Sequence, residues 1–299
     1  MLRSKLAVKV LETEESEIFY DPIYQGRTLK VIGIDRDPTV MLEWIAGEYR
    51  KLGYSAIIFD TRGEFKGDFD TIITIKDGEP AGLDPIKMWK KGLIPNPYTA
   101  ATILQTVYEL DNSLTNRLYA DILSGKIKSV HDAVKAGEKY SEVILESYTS
   151  LDENLYSGDA PELKGSVLVN LGETYSVTVA GTAFLILAAA LEKRREVVIG
   201  IDDAAVLAYT TPGGAAMPLL TSPSRRRVSV LATRYVVDQI NNTPGPTLLL
   251  YTDPDIQTLI YDANGVPPGD MRKHVHKKQG VLIWRTPETI DVEWGEVPR

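Results

Sequence analysis

The segment that decides the fold is TLKVIGIDRDPTVMLEWIAGEYRKLGYSAIIFD, residues 28–60. It predicts a buried strand over 29–33, a turn at Gly33, an amphipathic helix that begins at Pro38 and a second buried strand over 55–60. Continuous apolar runs of this kind indicate a parallel sheet that is covered on both faces. The segment therefore predicts an α/β fold in which a glycine turn joins a strand to a helix.

The turn that starts at Gly33 has the frame of a phosphate-binding loop. That motif consists of glycine, four residues, glycine, lysine and a serine or threonine. Here Pro38 takes the place of the second glycine, Thr39 that of the lysine, and Val40 that of the magnesium-binding hydroxyl. The four residues between the two glycine positions are Ile34, Asp35, Arg36 and Asp37. The frame thus lacks the side chains that hold a triphosphate.

The composition is that of an ordinary globular protein with an acidic balance. The chain has 299 residues, of which 43% are hydrophobic and 25% charged, and its formal net charge is −8. This balance argues against a free-standing DNA coat or a membrane-surface binder. Cysteine is absent, which excludes disulfides, thiolate zinc sites and cysteine nucleophiles and is typical of cytosolic and of some thermophilic proteins. With three histidines in the chain, we expect no His/Cys metal site.

Two segments bear on the membrane. The N-terminal residues 1–15 lack the apolar core of a signal peptide. Residues 177–191 form the most apolar run, but they are about five residues short of a membrane span. We therefore expect a cytoplasmic protein without membrane insertion, in which 177–191 form a buried helix.

The rest of the sequence alternates between strand and helix patterns. A strand is predicted over 71–75, a loop rich in glycine and proline over 78–97, and helices without any strand over 98–155. Further strands are predicted over 166–171, 197–202, 228–233, 247–252, 280–284 and 291–294. This order predicts a mainly parallel sheet.

The same order divides the chain into three parts. We predict a short N-terminal β segment over 1–27, an α/β core over 28–97 and 156–299, and an all-helical insertion over 98–155.

Paired acids follow one of the predicted strands. The stretch VVIGIDDA, residues 197–204, ends its apolar run at Asp202 and Asp203. In open α/β sheets ligands lie beyond the carboxyl ends of the strands, where a carboxylate can hold a magnesium ion and a second acid can activate water. Alternatively, the two acids cap the helix that follows, because its first turn favours negative charge. The residues alone leave both interpretations open.

The order of these landmarks resembles the HerA/FtsK superfamily of hexameric DNA-pumping ATPases, which includes type IV secretion and conjugation ATPases. The family's second strand ends in an Asp-x-x-Gly-Glu-aromatic turn, and residues 57–65, IIFDTRGEF, match it at Asp60, Gly63, Glu64 and Phe65. An Asn-Pro-Leu-like element is echoed by Leu83-Asp84-Pro85-Ile86. The resemblance implies a RecA-like, three-layer P-loop fold, with Asp202 and Asp203 as the Walker B acids and Arg234 at the sensor position.

The departures from the family fall on the positions that handle triphosphate. The Walker A lysine is lost, the catalytic glutamate is Asp203 and the sensor glutamine is Arg234. Asp35 and Asp37 place two negative charges in the loop, which only Arg36 offsets. Bringing a triphosphate to this loop is expected to cost roughly several kcal/mol. We therefore expect weak or absent nucleotide binding, with no cofactor and no resident metal ion.

Three hypotheses follow for the function. The first is a catalytically inactive HerA/FtsK-like protein with a structural or regulatory role, beside an active ATPase paralogue, a nuclease or further copies of itself. The second is a divergent NTPase that uses ATP and magnesium through Arg36, Asp202 and Asp203. The third is an unrelated α/β enzyme with a metal site formed by Asp35, Asp37, Asp60, Asp202 and Asp203.

Basic side chains form two further clusters. They could contact DNA phosphates or an acidic neighbour, and an exposed, solvated face explains them equally well. Their members are Arg225, Arg226, Arg227, Arg272, Lys273, Lys277 and Lys278.

Overall fold

The fold comes from a computed structural model, which describes residues 3–34, 37–222, 227–235, 238–267, 275–286 and 288–298. The strands are β1 (Val8–Glu12), β2 (Glu17–Tyr20), β3 (Thr28–Ile32), β4 (Ser55–Asp60), β5 (Thr71–Lys76), β6 (Val167–Glu173), β7 (Val197–Ile201), β8 (Arg227–Thr233), β9 (Thr247–Leu250), β10 (Gln279–Arg285) and β11 (Ile290–Glu296). The helices are α1 (Pro38–Lys51), α2 (Pro85–Lys90), α3 (Pro97–Tyr108), α4 (Asn112–Leu123), α5 (Val130–Lys135), α6 (Lys139–Ser147), α7 (Ser150–Tyr156), α8 (Val177–Leu191), α9 (Ala204–Ala208), α10 (Thr211–Thr221), α11 (Asp238–Asn241) and α12 (Pro254–Asn264).

The chain forms two compact units. The first is built from Met1–Phe59, Arg195–Ala205 and Thr221–Arg299, and the second from Asp60–Arg194 and Val206–Leu220. The three-part division drawn from the sequence stays a prediction.

The first unit has a largely parallel sheet. Its strands follow the order β2-β1-β11-β10-β9-β3-β8-β7-β4. The five strands from β9 to β4 are parallel, and β10, β11, β1 and β2 extend the sheet in antiparallel fashion. Every residue of β3, β7 and β8 is buried. The predicted α/β class with a mainly parallel central sheet is confirmed.

Helix α1 packs against this sheet. It contacts β3, β7 and β8 and buries Met41, Leu42 and Ile45. A Cβ atom added to Gly200 of β7 would lie 2.5 Å from Leu42 Cδ1 and 2.7 Å from Ile58 Cδ1. Real Cβ atoms do not come so close to other heavy atoms. The helix can therefore pack this closely against the sheet because residue 200 has no side chain.

The second unit contains the strand pair β5-β6, which is parallel, and a run of helices. Residues 91–166, all of which are described, contain helices and no strand, so the all-helical insertion is confirmed. Several of its helices start with a residue whose side chain accepts a backbone N–H of the first turn. These N-cap residues are Asn96 for α3, Asp111 for α4 and Ser129 for α5.

The loop predicted over 78–97 is wrong in part, because α2 lies within it. Asp84 accepts the N–H groups of Ile86 and Lys87 at 2.9 and 3.1 Å, and Pro85 occupies the first helical position. An aspartate followed by proline is a helix-start signal, which the surrounding glycine and proline residues concealed. Helices α10 and α12 were also missed.

Helix α8 is the buried helix expected over 177–191, with most of its residues inaccessible. Among the described residues, no helix combines the length and the apolar character that crossing a membrane requires.

Candidate functional site

Three neighbouring strands of the first unit deliver the candidate residues to one edge of the sheet. Gly33 follows β3, Asp202 and Asp203 follow β7, and Arg234 follows β8. Because β3, β8 and β7 are parallel neighbours, their carboxyl ends lie side by side. We call Asp37, Thr39, Asp202, Asp203 and Arg234 the carboxyl-edge cluster.

The centre of this cluster is a hydrogen bond between Thr39 and Asp202. The Thr39 hydroxyl donates to Asp202 Oδ1 at 2.6 Å, and the Asp202 side chain is fully buried. Val40, to which the sequence comparison assigned the magnesium-binding hydroxyl, is 51% exposed. The hydroxyl that contacts Asp202 is therefore that of Thr39, one residue earlier in the chain.

Asp37 begins helix α1. Its Oδ1 accepts the backbone N–H of Thr39 at 2.9 Å, and Pro38 occupies the first helical position without an N–H group. The N-terminus of a helix attracts anions because its first N–H groups have no partner in the helix. Here the anion at the end of α1 is a carboxylate of the chain itself.

Arg234 connects two acids of the cluster, Asp37 and Asp203. Its Nη2 donates to Asp37 Oδ1 and lies 3.3 Å from Thr39 Oγ1, while its Nη1 lies 3.6 Å from Asp203 Oδ2. The side chain of Arg234 is 19% exposed and that of Asp203 10%, so water screens this pair only partly. The guanidinium therefore sits where it offsets charges from the ends of two strands.

The backbone of Asp203 is left-handed, with φ at +49°. Aspartate tolerates this region better than most residues, at a cost of about 1 kcal/mol. A non-glycine residue in this conformation is enriched at functional positions and re-aims its side chain. At Asp203 the result is a carboxylate that faces Arg234.

Within the described cluster, three carboxylates stand against one guanidinium, a formal charge of −2. Asp35 and Arg36, which the sequence analysis placed in this loop, lie outside the described residues. The described residues of the loop include no lysine side chain.

Comparison with known proteins identifies the architecture. No protein-family model matches the sequence, and no curated protein gives a significant match. VirB4 of Thermoanaerobacter pseudethanolicus is similar in structure, with a TM-score of 0.72 and 12% identity, over 100% of this chain and 98% of that chain. The chain therefore shares the fold of this VirB4 structure. The bacterial conjugative coupling protein TrwBdeltaN70, in its unbound monoclinic form, gives a TM-score of 0.53 and 13% identity over 99% of this chain and 90% of that chain.

The turn that follows β4 is held by hydrogen bonds within the turn itself. Asp60 is 1% exposed and accepts the N–H groups of Arg62, Gly63 and Phe65 at 3.0, 2.9 and 2.7 Å. Glu64, which is 62% exposed, pairs with Arg62 at 2.8 Å. In this structure Asp60 holds the turn in shape, and Glu64 faces solvent.

The predicted metal cluster can be tested only in part, because Asp35 lies outside the described residues. In the part of the chain that is described, no three His, Cys, Asp or Glu side chains lie close enough together to hold a metal ion.

The basic residues singled out in the sequence lie in different surroundings. Arg227 is 4% exposed and donates to the carbonyl of Ser222 at 3.3 Å. Lys277 and Lys278 are exposed. Four of the predicted contacts lie outside the described residues, namely Arg225, Arg226, Arg272 and Lys273. Contact with DNA or a partner stays a prediction for all of them.

One charged residue was missed by the sequence analysis. Lys30, in the middle of β3, is only 3% exposed, and its Nζ donates to the backbone carbonyl of Asn241 at 3.1 Å. Burial lowers the pKa of Lys30 to about 8. The signal was present in the sequence, since a lysine interrupts the apolar run TLKVI of a strand expected to be covered on both faces.

Proposed function

We propose that the protein is a catalytically inactive HerA/FtsK-like pseudo-ATPase with a structural or regulatory role. The observation that carries this proposal is the position of Asp37. Its carboxylate occupies the N–H of Thr39 at the start of α1 and pairs with Arg234. A nucleotide phosphate would compete for both of these donors with a group that is tethered to the helix.

The charge of the cluster supports the same proposal. Phosphate-binding loops stabilise the triphosphate with a lysine and several backbone N–H groups. Here Pro38 supplies no N–H, and Thr39 replaces the lysine of the sequence motif. Bringing a triphosphate to three carboxylates and one guanidinium is unfavourable by roughly several kcal/mol.

The proposed role is in a DNA-processing or DNA-translocation assembly. The fold is shared with the bacterial conjugative coupling protein, which makes such an assembly the natural setting. Three apolar side chains that neighbour the cluster in the chain are partly exposed: Ile34 by 37%, Val40 by 51% and Tyr235 by 54%. Exposed apolar side chains at such a site favour a protein neighbour, for which an active ATPase paralogue, a nuclease or a second copy of this chain are the candidates. DNA is a further proposed partner.

A second candidate function is a divergent NTPase, and the contact between Thr39 and Asp202 favours it. A P-loop hydroxyl and a Walker B aspartate together hold magnesium in active enzymes, and these two side chains are 2.6 Å apart. In this candidate Arg234 or Arg36 would offset phosphate charge in place of the lysine, and Asp203 would orient water.

Nucleotide binding separates the two candidates. Thermal shift and calorimetry are carried out with ATP, with and without magnesium, followed by turnover assays in the presence of DNA. For a pseudo-ATPase we expect no stabilisation at about millimolar ATP and no turnover. Magnesium-dependent turnover that Asp202→Ala abolishes would overturn the proposal and establish the divergent NTPase.

A further inference from the structure

A cavity of about 620 Å³ lies in the first unit, away from the carboxyl-edge cluster. We call it the Lys30 cavity. The residues of its lining on which the argument rests are Lys30, Asn241, Asn242, Trp284 and Arg285.

The strand pairing places this cavity at the amino edge of the parallel strands. Lys30 of β3 is opposite Thr247, the first residue of β9. Thr247 is also opposite Ile283, and because β10 runs antiparallel, its last residue, Arg285, comes to the same edge. Ligands of open α/β sheets normally bind at the other edge, so this cavity is separate from the place where the fold holds nucleotide.

The Lys30 cavity is positively charged. The described residues of its lining include Lys30 and Arg285 and no aspartate or glutamate. In the described part of the chain, neither cation forms an ion pair, and the Lys30 ammonium makes a single hydrogen bond, to Asn241 O. An ammonium that is withdrawn from water without a counter-charge is costly, and an anion in the cavity would remove that cost.

Asn241 adds a requirement for a hydrogen-bond donor. Its Oδ1 is buried and has no hydrogen-bond partner among the described residues. A buried amide oxygen of this kind is expected to find a donor. A ligand that fits all three residues therefore carries anionic oxygens for Lys30 and Arg285 and a hydroxyl for Asn241.

We propose that the Lys30 cavity binds a phosphate group, either inorganic phosphate or a small phosphomonoester. Hydrogen phosphate carries both negatively charged oxygens and a P–OH donor. The oxygens pair with the Lys30 ammonium and the Arg285 guanidinium, the latter through the fork geometry that suits phosphate, and the P–OH donates to Asn241 Oδ1.

The test is calorimetric titration of the full chain with inorganic phosphate near neutral pH, supported by ³¹P line broadening. Lys30→Met and Arg285→Gln are each expected to weaken binding by about tenfold or more. Lys9→Met, which removes a cation of the same unit that pairs with Glu12 and Glu17 outside the cavity, serves as the matched control and leaves phosphate affinity unchanged. Arg285 lies on the surface, so its variant folds even if the Lys30 variant rearranges.

Two further arms define the ligand. Sulfate has the same shape but no proton near neutral pH, and it is expected to bind about fivefold or more weakly, a preference that Asn241→Ala reduces. Glycerol phosphate and inorganic phosphate are titrated separately, and the tighter of the two identifies the source of the phosphate group.

The proposal is overturned if the wild-type chain shows no phosphate binding at about 10 mM, if Lys30→Met binds as well as wild type, or if Lys9→Met removes the binding. The proposal is independent of the proposed function, because the Asp202 variant tests ATP turnover and the Lys30 variant tests phosphate binding. Either result can fail without affecting the other.

Discussion

Arg234 and Lys30 lie at opposite edges of the same parallel strands, and their charges are compensated differently. At the carboxyl edge, Arg234 pairs with Asp37 and Asp203 and lies beside Thr39. At the amino edge, Lys30 has no ion-pair partner among the described residues and a lowered pKa. A set of charges that satisfies itself resists an incoming anion, whereas an uncompensated buried cation attracts one. The comparison thus favours anion binding at the amino edge, where we propose the phosphate site.

Among the variants of the carboxyl-edge cluster, the substitution of Arg234 is expected to lower the free energy of unfolding most. Arg234→Gln leaves Asp203, which is 7% exposed, without this cation, and the free energy of unfolding falls by about 3 kcal/mol. Urea denaturation measures the loss. Arg62→Gln, which removes an exposed pair with Glu64, is the control and costs below about 1 kcal/mol. Equal losses in the two variants would show that the cluster contributes nothing beyond a surface pair.

Removing the charge of Lys30 is expected to stabilise the protein. The pKa falls from 10.5 to about 8 in the folded chain, so the unfolded chain binds more protons between these values and wild-type stability rises with pH across that window. Near pH 7, where the penalty is fully present, Lys30→Met gains about 2 kcal/mol after losing the bond to Asn241.

Denaturation between pH 7 and 10.5 measures this difference. The variant lacks the rise that Lys30 gives the wild type. Lys9→Met is the control, because hydrogen bonds to Glu12 and Glu17 raise the pKa of Lys9, so its charge does not produce a rise in this window. A wild-type rise that persists unchanged in Lys30→Met contradicts the assignment.

Thr39→Val tests the hydrogen bond at the centre of the carboxyl edge. The variant keeps the shape of the side chain and removes the donor to buried Asp202, which costs about 1.5 kcal/mol. Thr258→Val on α12 removes a hydroxyl that donates an exposed hydrogen bond to the carbonyl of Pro254, and this variant is expected to be nearly neutral. If both threonine variants unfold at the wild-type urea midpoint, the bond to Asp202 is not stabilising.

The smallest effect on stability is expected for Asp37→Ala. This variant tests most directly whether the carboxyl edge excludes phosphate. Asp253 caps α12 with the same arrangement, including Pro254 at the first helical position and a bond of 2.9 Å to Asp255 N. Each alanine variant loses about 1 kcal/mol as a helix cap. Asp37→Ala also releases Arg234 and the Thr39 N–H, so only this variant should show stabilisation by ATP in a thermal shift assay. ATP stabilisation absent from both variants would mean that Asp37 is not what excludes phosphate.

The sequence predicted the local elements well and the pairing of distant residues poorly. Apolar runs such as 28–32 and 197–201 identify buried parallel strands because both faces are covered. The same reasoning could not predict the hydrogen bond between Thr39 and Asp202. The two residues are 163 positions apart, and their contact depends on the order of three strands. Counting along the motif drew attention to Val40, whereas the hydroxyl that contacts Asp202 is that of Thr39.

The Lys30 cavity could not be predicted either, because its two cations come from β3 and β10 and meet only through the register of β9.

Gly200 has a consequence beyond close packing. Gly200 lies on β7, two residues before Asp202. Helix α1, which packs against this glycine, carries both Leu42 and Thr39. The absent side chain therefore works as a spacer that sets the separation of Thr39 from Asp202. A single methyl group at Gly200 would act as a wedge and stretch that bond without altering any residue of the cluster. A glycine inside the sheet, outside the cluster, thus influences the distance between two side chains of the carboxyl edge.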